Sequence, residues 1–261
     1  MPDFGVIAGS GIYNMPDLEV IDSLKVGTPY GEPSDIYRVG RFAGREVVFL
    51  PRHGSKHHIP PHRINYRANI WGFRELGISR ILSIGATGGI SRRMMPGTIV
   101  VLDQLLDMTS GRDATFFEQD DVVHIDFTNP FCPDLRHELI AAASDAGIKV
   151  AKRGTYIAVN GPRLETAAEI RAFASLGADV VGMTGMPEAV LGRELEICFA
   201  GVAVVTNTAA GIAEGMLAAK EVVEVMRATT EHIRMLLRAF FERDLIKHAC
   251  TCRSALKNAH M

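Results

Sequence analysis

A chain of 261 residues with a formal net charge of −2, 47% hydrophobic and 22% charged, has the make-up of a globular protein able to bury one large α/β core. Its Lys and Arg residues are scattered rather than gathered into a basic stripe, which argues against nucleic acid as a partner. Met1 to Asn14 is no secretory leader and no apolar run approaches the ~20 residues of a membrane span, so a cytoplasmic protein without a membrane partner is expected.

In chain order, short β-branched or apolar runs read as strands at Phe4 to Ala8 and Val47 to Leu50, before a helical pattern from Tyr66 to Leu76. Strands follow at Ile81 to Ile84 and Thr98 to Leu102, then a helix from Asp134 to Ala146 and a strand from Tyr156 to Val159. A helix at Thr166 to Leu176, a strand at Val180 to Met183, a helix at Pro187 to Leu195 and a strand at Val202 to Thr206 lead into a closing helix, Ala219 to Phe241. Strands alternating with helices predict an α/β fold with a twisted, mostly parallel central sheet flanked by helices. Neither a repeat nor a linker divides the chain, so one domain is expected over residues 1–247, with a flexible C-terminal tail over 248–261.

The ends of these strands carry residues suited to an anion. The first runs into Gly9-Ser10-Gly11, where small residues let backbone amides and a hydroxyl approach an oxyanion. Asn14 stands where a dinucleotide fingerprint needs a third glycine, and a Walker lysine is absent. The second strand ends in Pro51-Arg52-His53-Gly54, placing a planar guanidinium fork and an imidazole where open α/β sheets collect ligands. Small-residue turns are expected at Gly85-Ala86-Thr87-Gly88-Gly89 and Gly182-Met183-Thr184-Gly185. Four tight turns would account for the glycines, but not for Ser10, Arg52 and Thr184 together. One shared site for an oxyanion and a sugar does.

His57, His58 and His62 invite a metal reading, but Pro60 and Pro61 break any helix there, and no metal is assigned. Of the four cysteines, Cys132 and Cys198 lie in core-like segments, while Cys250 and Cys252 form a CxC pair near the C-terminus. A CxC pair is a poor zinc half-site and disulfides do not suit a reducing compartment, so all four read as inert thiols.

Taken together, these segments resemble the trimeric purine nucleoside phosphorylase and methylthioadenosine phosphorylase family. The resemblance rests on Gly9-Ser10-Gly11, Pro51-Arg52-His53-Gly54, Asn65-Tyr66-Arg67-Ala68-Asn69-Ile70-Trp71, Pro130-Phe131-Cys132-Pro133, Gly161-Pro162-Arg163 and Gly182-Met183-Thr184 with Pro187-Glu188. It implies phosphorolysis of an N-glycosidic bond, with inorganic phosphate as co-substrate and no metal or organic cofactor. It further implies a phosphate set of Ser10, Arg52, His53, Ala86 and Thr184, with Met183 beneath the ribose. Leu164, Glu165, Thr206 and Asn207 fall on the base-binding positions, and His124 on a residue lent to the neighbouring subunit, which requires a homotrimer.

Within that family, methylthioadenosine phosphorylases carry aspartates where this chain has Asn207 and Ala209. An asparagine amide can donate to O6 or N7 of a departing purine while the Glu165 carboxylate accepts the N1 proton, a pairing that suits a 6-oxopurine. Asn207 as a turn cap and Glu165 as a helix-start charge is the plainer alternative. Where ordinary inosine phosphorylases place a histidine near the 5′-hydroxyl, this chain reads Met216-Leu217-Ala218-Ala219, an apolar wall for a methylthio group. The expected substrate is therefore S-methyl-5′-thioinosine, giving hypoxanthine and 5-methylthioribose 1-phosphate. Methylthioadenosine phosphorylase, inosine/guanosine phosphorylase and a non-catalytic purine-binding scaffold are the alternatives.

Overall fold

A computed structural model describes residues 2–9, 17–118, 121–212, 219–244 and 250–261, without side chains for 219–223. Among the described residues, eleven strands form one sheet. β1 (Phe4–Ala8) is central and parallel to both β4 (Arg45–Pro51) and β5 (Arg80–Gly89). Beyond β4 the sheet continues antiparallel through β3 (Tyr37–Phe42) to β2 (Glu19–Leu24).

β5 is the branch point. Along its length it pairs in parallel with β11 (Cys198–Thr208), while its last residues, Gly88 and Gly89, pair antiparallel with β10 (Val180–Gly182). From β10 the sheet runs through β9 (Thr155–Ala158) to β7 (Gln104–Asp107), and from β11 through β6 (Ile99–Val101) to β8 (Val150–Ala151). Gly85 to Gly89, expected as a turn, is therefore strand. Gly88 and Gly89 are glycines because other chain segments press on them: a methyl group at Gly89 would sit 1.9 Å from the Met94 carbonyl oxygen, and one at Gly88 would lie 3.2 Å from Val181 Cγ1.

Helices cover both faces. α2 (Pro133–Asp145) and α5 (Ala219–Glu242) pack on one side with Val6, Leu82 and Val204, and α5 buries Ile233, Leu236, Leu237, Phe240 and Phe241, the spacing of one helical stripe. Phe4 meets Phe240 and Phe241 edge-on at 5.7 and 5.5 Å between ring centres. α1 (Tyr66–Glu75) and α4 (Gly185–Glu194) cover the other side with Ile7, Leu50 and Ile81. α3 (Ala167–Ser175) packs Ile170 against Ile157, Val181 and Ala209.

Residues 250–261, expected as a flexible tail, turn back onto the body. Cys252 and Ala259 are buried, Cys250 N–H donates to Asp134 Oδ2 at 2.9 Å, and Met261 N–H donates to the Val122 carbonyl at 3.1 Å. Among the described residues no helix is long and apolar enough to cross a membrane.

Candidate active site

Local folding brings the ends of β1, β4 and β10 to the middle of β5. At the end of β4, Arg52 donates its backbone N–H to the Ala8 carbonyl at 3.0 Å, tying the Arg-His turn to the exit of β1. The next residue, His53, places Nδ1 2.8 Å from the Ile59 carbonyl, so Nδ1 carries the proton and Nε2 is an acceptor. Burial, reinforced by the Arg52 charge, lowers its pKa to about 4, and the ring is neutral at physiological pH.

The Arg52 guanidinium is 1% exposed and closes on Glu188 in the first turn of α4, with Nε 2.5 Å from Oε1 and an Nη 3.0 Å from Oε2. Ser83 Oγ, 2.8 Å from both partners, joins the pair. The motif Pro51-Arg52-His53-Gly54 leads one to expect this fork to face outward, toward an oxyanion. In the structure it is engaged by a carboxylate, and a bidentate pair with Glu188 is what a fully buried guanidinium requires. Glu188 and Ser83 were missed as partners of Arg52; a buried acid one turn into a helix that starts at a candidate site was the available signal.

Thr184 stands at the N-cap of α4 without bonding its first turn through its side chain. Its hydroxyl faces β5, 3.7 Å from where a Cβ on Gly85 would lie. Its N–H and that of Gly185 both donate to the Tyr156 hydroxyl at 3.1 Å. Ala86, beside Gly85 on β5, is exposed. Ser10 lies outside the described residues, as do Met216, Leu217 and Ala218.

Met183, after β10, is fixed through its carbonyl oxygen, which accepts from an Nη of Arg112 at 2.8 Å and from the Tyr66 hydroxyl at 3.4 Å. Arg112 also donates to the carbonyls of Met186, Asn160 and Val159, so one side chain ties β9's exit to β10's. It stacks 5.1 Å over the Tyr66 ring. Sequence reading passed over Arg112, because a lone arginine in an irregular stretch carries no local pattern. Gly161, at φ +64°, completes the junction: a methyl group there would lie 2.3 Å from Met183 Sδ.

The base-side candidates gather next to this junction. Glu165 lines a cavity of about 320 Å³ with Met108, Val159, Asn160, Gly161 and Phe173. It immediately precedes Thr166, which caps α3 in a reciprocal box with Glu169. Burial raises the Glu165 pKa above the ordinary carboxylate range. Leu164 is 48% exposed.

On β11 the register with β5 slips between Val205 and Asn207, an extra residue that re-aims the strand's last side chains. Thr206 Oγ1 lies 3.0 Å from Asn207 Oδ1 and 3.3 Å from the Thr87 carbonyl, and Asn207 Nδ2 donates to the Thr208 carbonyl at 2.9 Å. These contacts orient the amide and leave the second Nδ2 proton for another acceptor. Asn207 and Glu165 belong to adjoining segments, since Gly211 packs its backbone against Ala167 so closely that a methyl group would come within 2.6 Å of the alanine Cβ.

One candidate, Ala209, stands differently from expectation. Ala209 is 2% exposed and its methyl group belongs to the apolar cluster of Ile90, Ile157, Ile170 and Val181, so it lines the core rather than a ligand space. His124 is exposed, and its N–H donates to the Ala259 carbonyl at 2.8 Å, tying it to the C-terminal segment.

Converging strand ends, a neutral histidine, a buried arginine and a part-buried carboxylate beside a cavity define an α/β enzyme acting on a polar small molecule. The chain belongs to the phosphorylase superfamily, whose model matches residues 3–242. A Thermodesulfovibrio yellowstonii protein named "probable S-methyl-5′-thioinosine phosphorylase" is 50% identical over 98% of this chain and 96% of its own. The 6-oxopurine nucleoside phosphorylase of Pyrococcus furiosus is 47% identical over 99% of each. Among solved structures, a methylthioadenosine phosphorylase sourced from an antarctic soil metagenomic library matches with a TM-score of 0.91 at 34% identity, covering 100% of this chain and 92% of that one.

Proposed function

We propose that this enzyme cleaves the N-glycosidic bond of a 5′-methylthio 6-oxopurine nucleoside, S-methyl-5′-thioinosine, with inorganic phosphate as nucleophile. The products are hypoxanthine and 5-methylthioribose 1-phosphate. The observation that carries the reading is Asn207, an amide oriented by Thr206 and Thr208 on the bulged end of β11, in the segment that adjoins Glu165. The similarity to the Thermodesulfovibrio and Pyrococcus proteins supports the same base class.

As the glycosidic bond lengthens, positive charge develops at the anomeric carbon and negative charge spreads into the purine. The second Nδ2 proton of Asn207 meets that charge at O6 or N7, and the Glu165 carboxylate accepts a hydrogen bond from N1–H, which stays on the purine. An adenine ring presents a donor and an acceptor in the reverse order, and each mismatch leaves a polar group unpaired. On the phosphate side, Ser10, the Ala86 amide and Thr184 donate to the oxyanion, while neutral His53 accepts a hydrogen bond from a phosphate O–H at Nε2. Arg52 contributes from behind the phosphate, by holding Glu188 and the first turn of α4 that begins at Thr184. Met183 packs under the ribose, and His124 of a neighbouring copy closes the 5′ end in a homotrimer.

Incubating the purified protein with S-methyl-5′-thioinosine, with and without phosphate, tests this reading. Hypoxanthine appears only with phosphate, in equimolar amount with the sugar phosphate. Equal release without phosphate would make the protein a hydrolase, and no release from any purine nucleoside would make it a binding protein.

A further inference from the structure

The four cysteines, read from sequence as separate inert thiols, come together. Cys132 is the N-cap residue of α2, Cys198 opens β11, and Cys250 and Cys252 arrive from the C-terminal segment. Their sulfur atoms all lie within 4.8 Å of one another, and Cys198 Sγ is 3.5 Å from Cys250 Sγ. Among the described residues this is the one group of three or more His, Cys, Asp or Glu side chains able to converge on a metal ion.

We propose that Cys132, Cys198, Cys250 and Cys252 form a structural tetrathiolate zinc site that fastens the C-terminal segment to the body of the protein. A Zn–S bond of about 2.3 Å in a tetrahedron sets neighbouring sulfurs about 3.8 Å apart, so even the widest pair here closes by only about 1 Å. Four sulfur ligands with no open position are the donor set of a closed, structural site. Three of the four cysteines are fully buried and Cys250 is partly so, which keeps water from competing for the ion.

The surroundings suit the net −2 charge of such a centre. Cys132 sits at the positive end of the 13-residue helix α2, and the buried Arg193 exerts its charge on Cys252. The Cys252 N–H faces the Cys250 sulfur, as backbone amides do around metal-bound thiolates. Contacts that need no metal already set the approach of the CxC pair: Cys250 N–H bonds Asp134 Oδ2, and Leu256 N–H donates to Glu196 Oε1 at 3.2 Å. Zinc binding displaces the thiol protons and needs no oxidant, whereas joining the cysteines in pairs would.

Elemental analysis of the purified full-length protein tests the site, together with the absorption spectrum after replacement of the metal by Co²⁺. Expected are about one zinc per chain, loss of that zinc in the Cys250→Ser/Cys252→Ser double variant, and the intense bands of a tetrahedral tetrathiolate cobalt centre in the wild type. The cobalt spectrum keeps the proposal falsifiable should the variant fail to fold. Zinc-free protein with two disulfides by mass under non-reducing denaturation, bound iron in place of zinc, an octahedral cobalt spectrum, or full zinc retention by the double variant would each overturn it.

Discussion

At the scale of single residues, selectivity turns on which groups donate and which accept. Asparagine has two N–H donors that aspartate lacks, so Asn207→Asp trades the N–H proposed to meet O6 or N7 for an acceptor suited to a 6-amino group. The ratio of kcat/KM for methylthioadenosine over methylthioinosine should rise roughly 10-fold or more in this variant; an unchanged ratio would mean that Asn207 does not read the base. The buried methyl of Ala209 limits what a further exchange can achieve, because a carboxylate there would enter an apolar cluster. Glu165 makes a second prediction, about pH. Its carboxylate form is the acceptor for N1–H, and burial lifts its pKa, so protonation removes the acceptor at a higher pH than for an exposed glutamate. The kcat/KM for methylthioinosine should therefore fall on acidification through that raised pKa, and Glu165→Gln should lower kcat/KM and abolish this limb of the profile.

At the scale of elements, the first turn of α4 is fastened beneath the ends of β4 and β5 by Arg52, Glu188 and Ser83. Removing one partner strands a buried charge, so Glu188→Ala should lower stability by about 3–5 kcal/mol, read from urea unfolding. A loss below about 1 kcal/mol would mean the pair is as weakly coupled as a surface bridge. Seven strands and five helices were legible because apolar runs of 4–5 residues alternate with helical periodicity, and β1 has the bounds its sequence predicts. β2, β7 and β8 were illegible because none of them carries a buried residue, and so none has the apolar run that marks a strand. The run Gly85 to Gly89 misled for a specific reason. Glycine signals a turn locally, yet here it serves close packing, a constraint set at Gly88 by Val181 and Asn207, far away in the chain, and at Gly89 by the backbone of Met94. The same holds for the site: Arg52, His53, Thr184 and Asn207 sit at strand ends that local pattern reveals, whereas the partners of Arg52 and the reach of Arg112 depend on tertiary proximity.

At the scale of the whole molecule, His124 is exposed with its backbone tied to Ala259, and the proposed site takes it from a second copy. The protein should sediment at three times the 28.4 kDa of its chain. Co-expressing a His124→Ala chain with an Asn207→Ala chain should restore activity above the mean of the two parents, since mixed trimers contain a site with Asn207 from one copy and His124 from the next. Activity no higher than that mean would place His124 outside the site. The central claim concerns the substrate, and kcat/KM for S-methyl-5′-thioinosine, S-methyl-5′-thioadenosine and inosine, measured side by side with saturating phosphate, tests it most directly. Methylthioinosine should lead, with methylthioadenosine lower by roughly 100-fold or more and inosine in second place; methylthioadenosine as the best substrate by a wide margin would contradict the assignment of Asn207 and Glu165 to a 6-oxopurine.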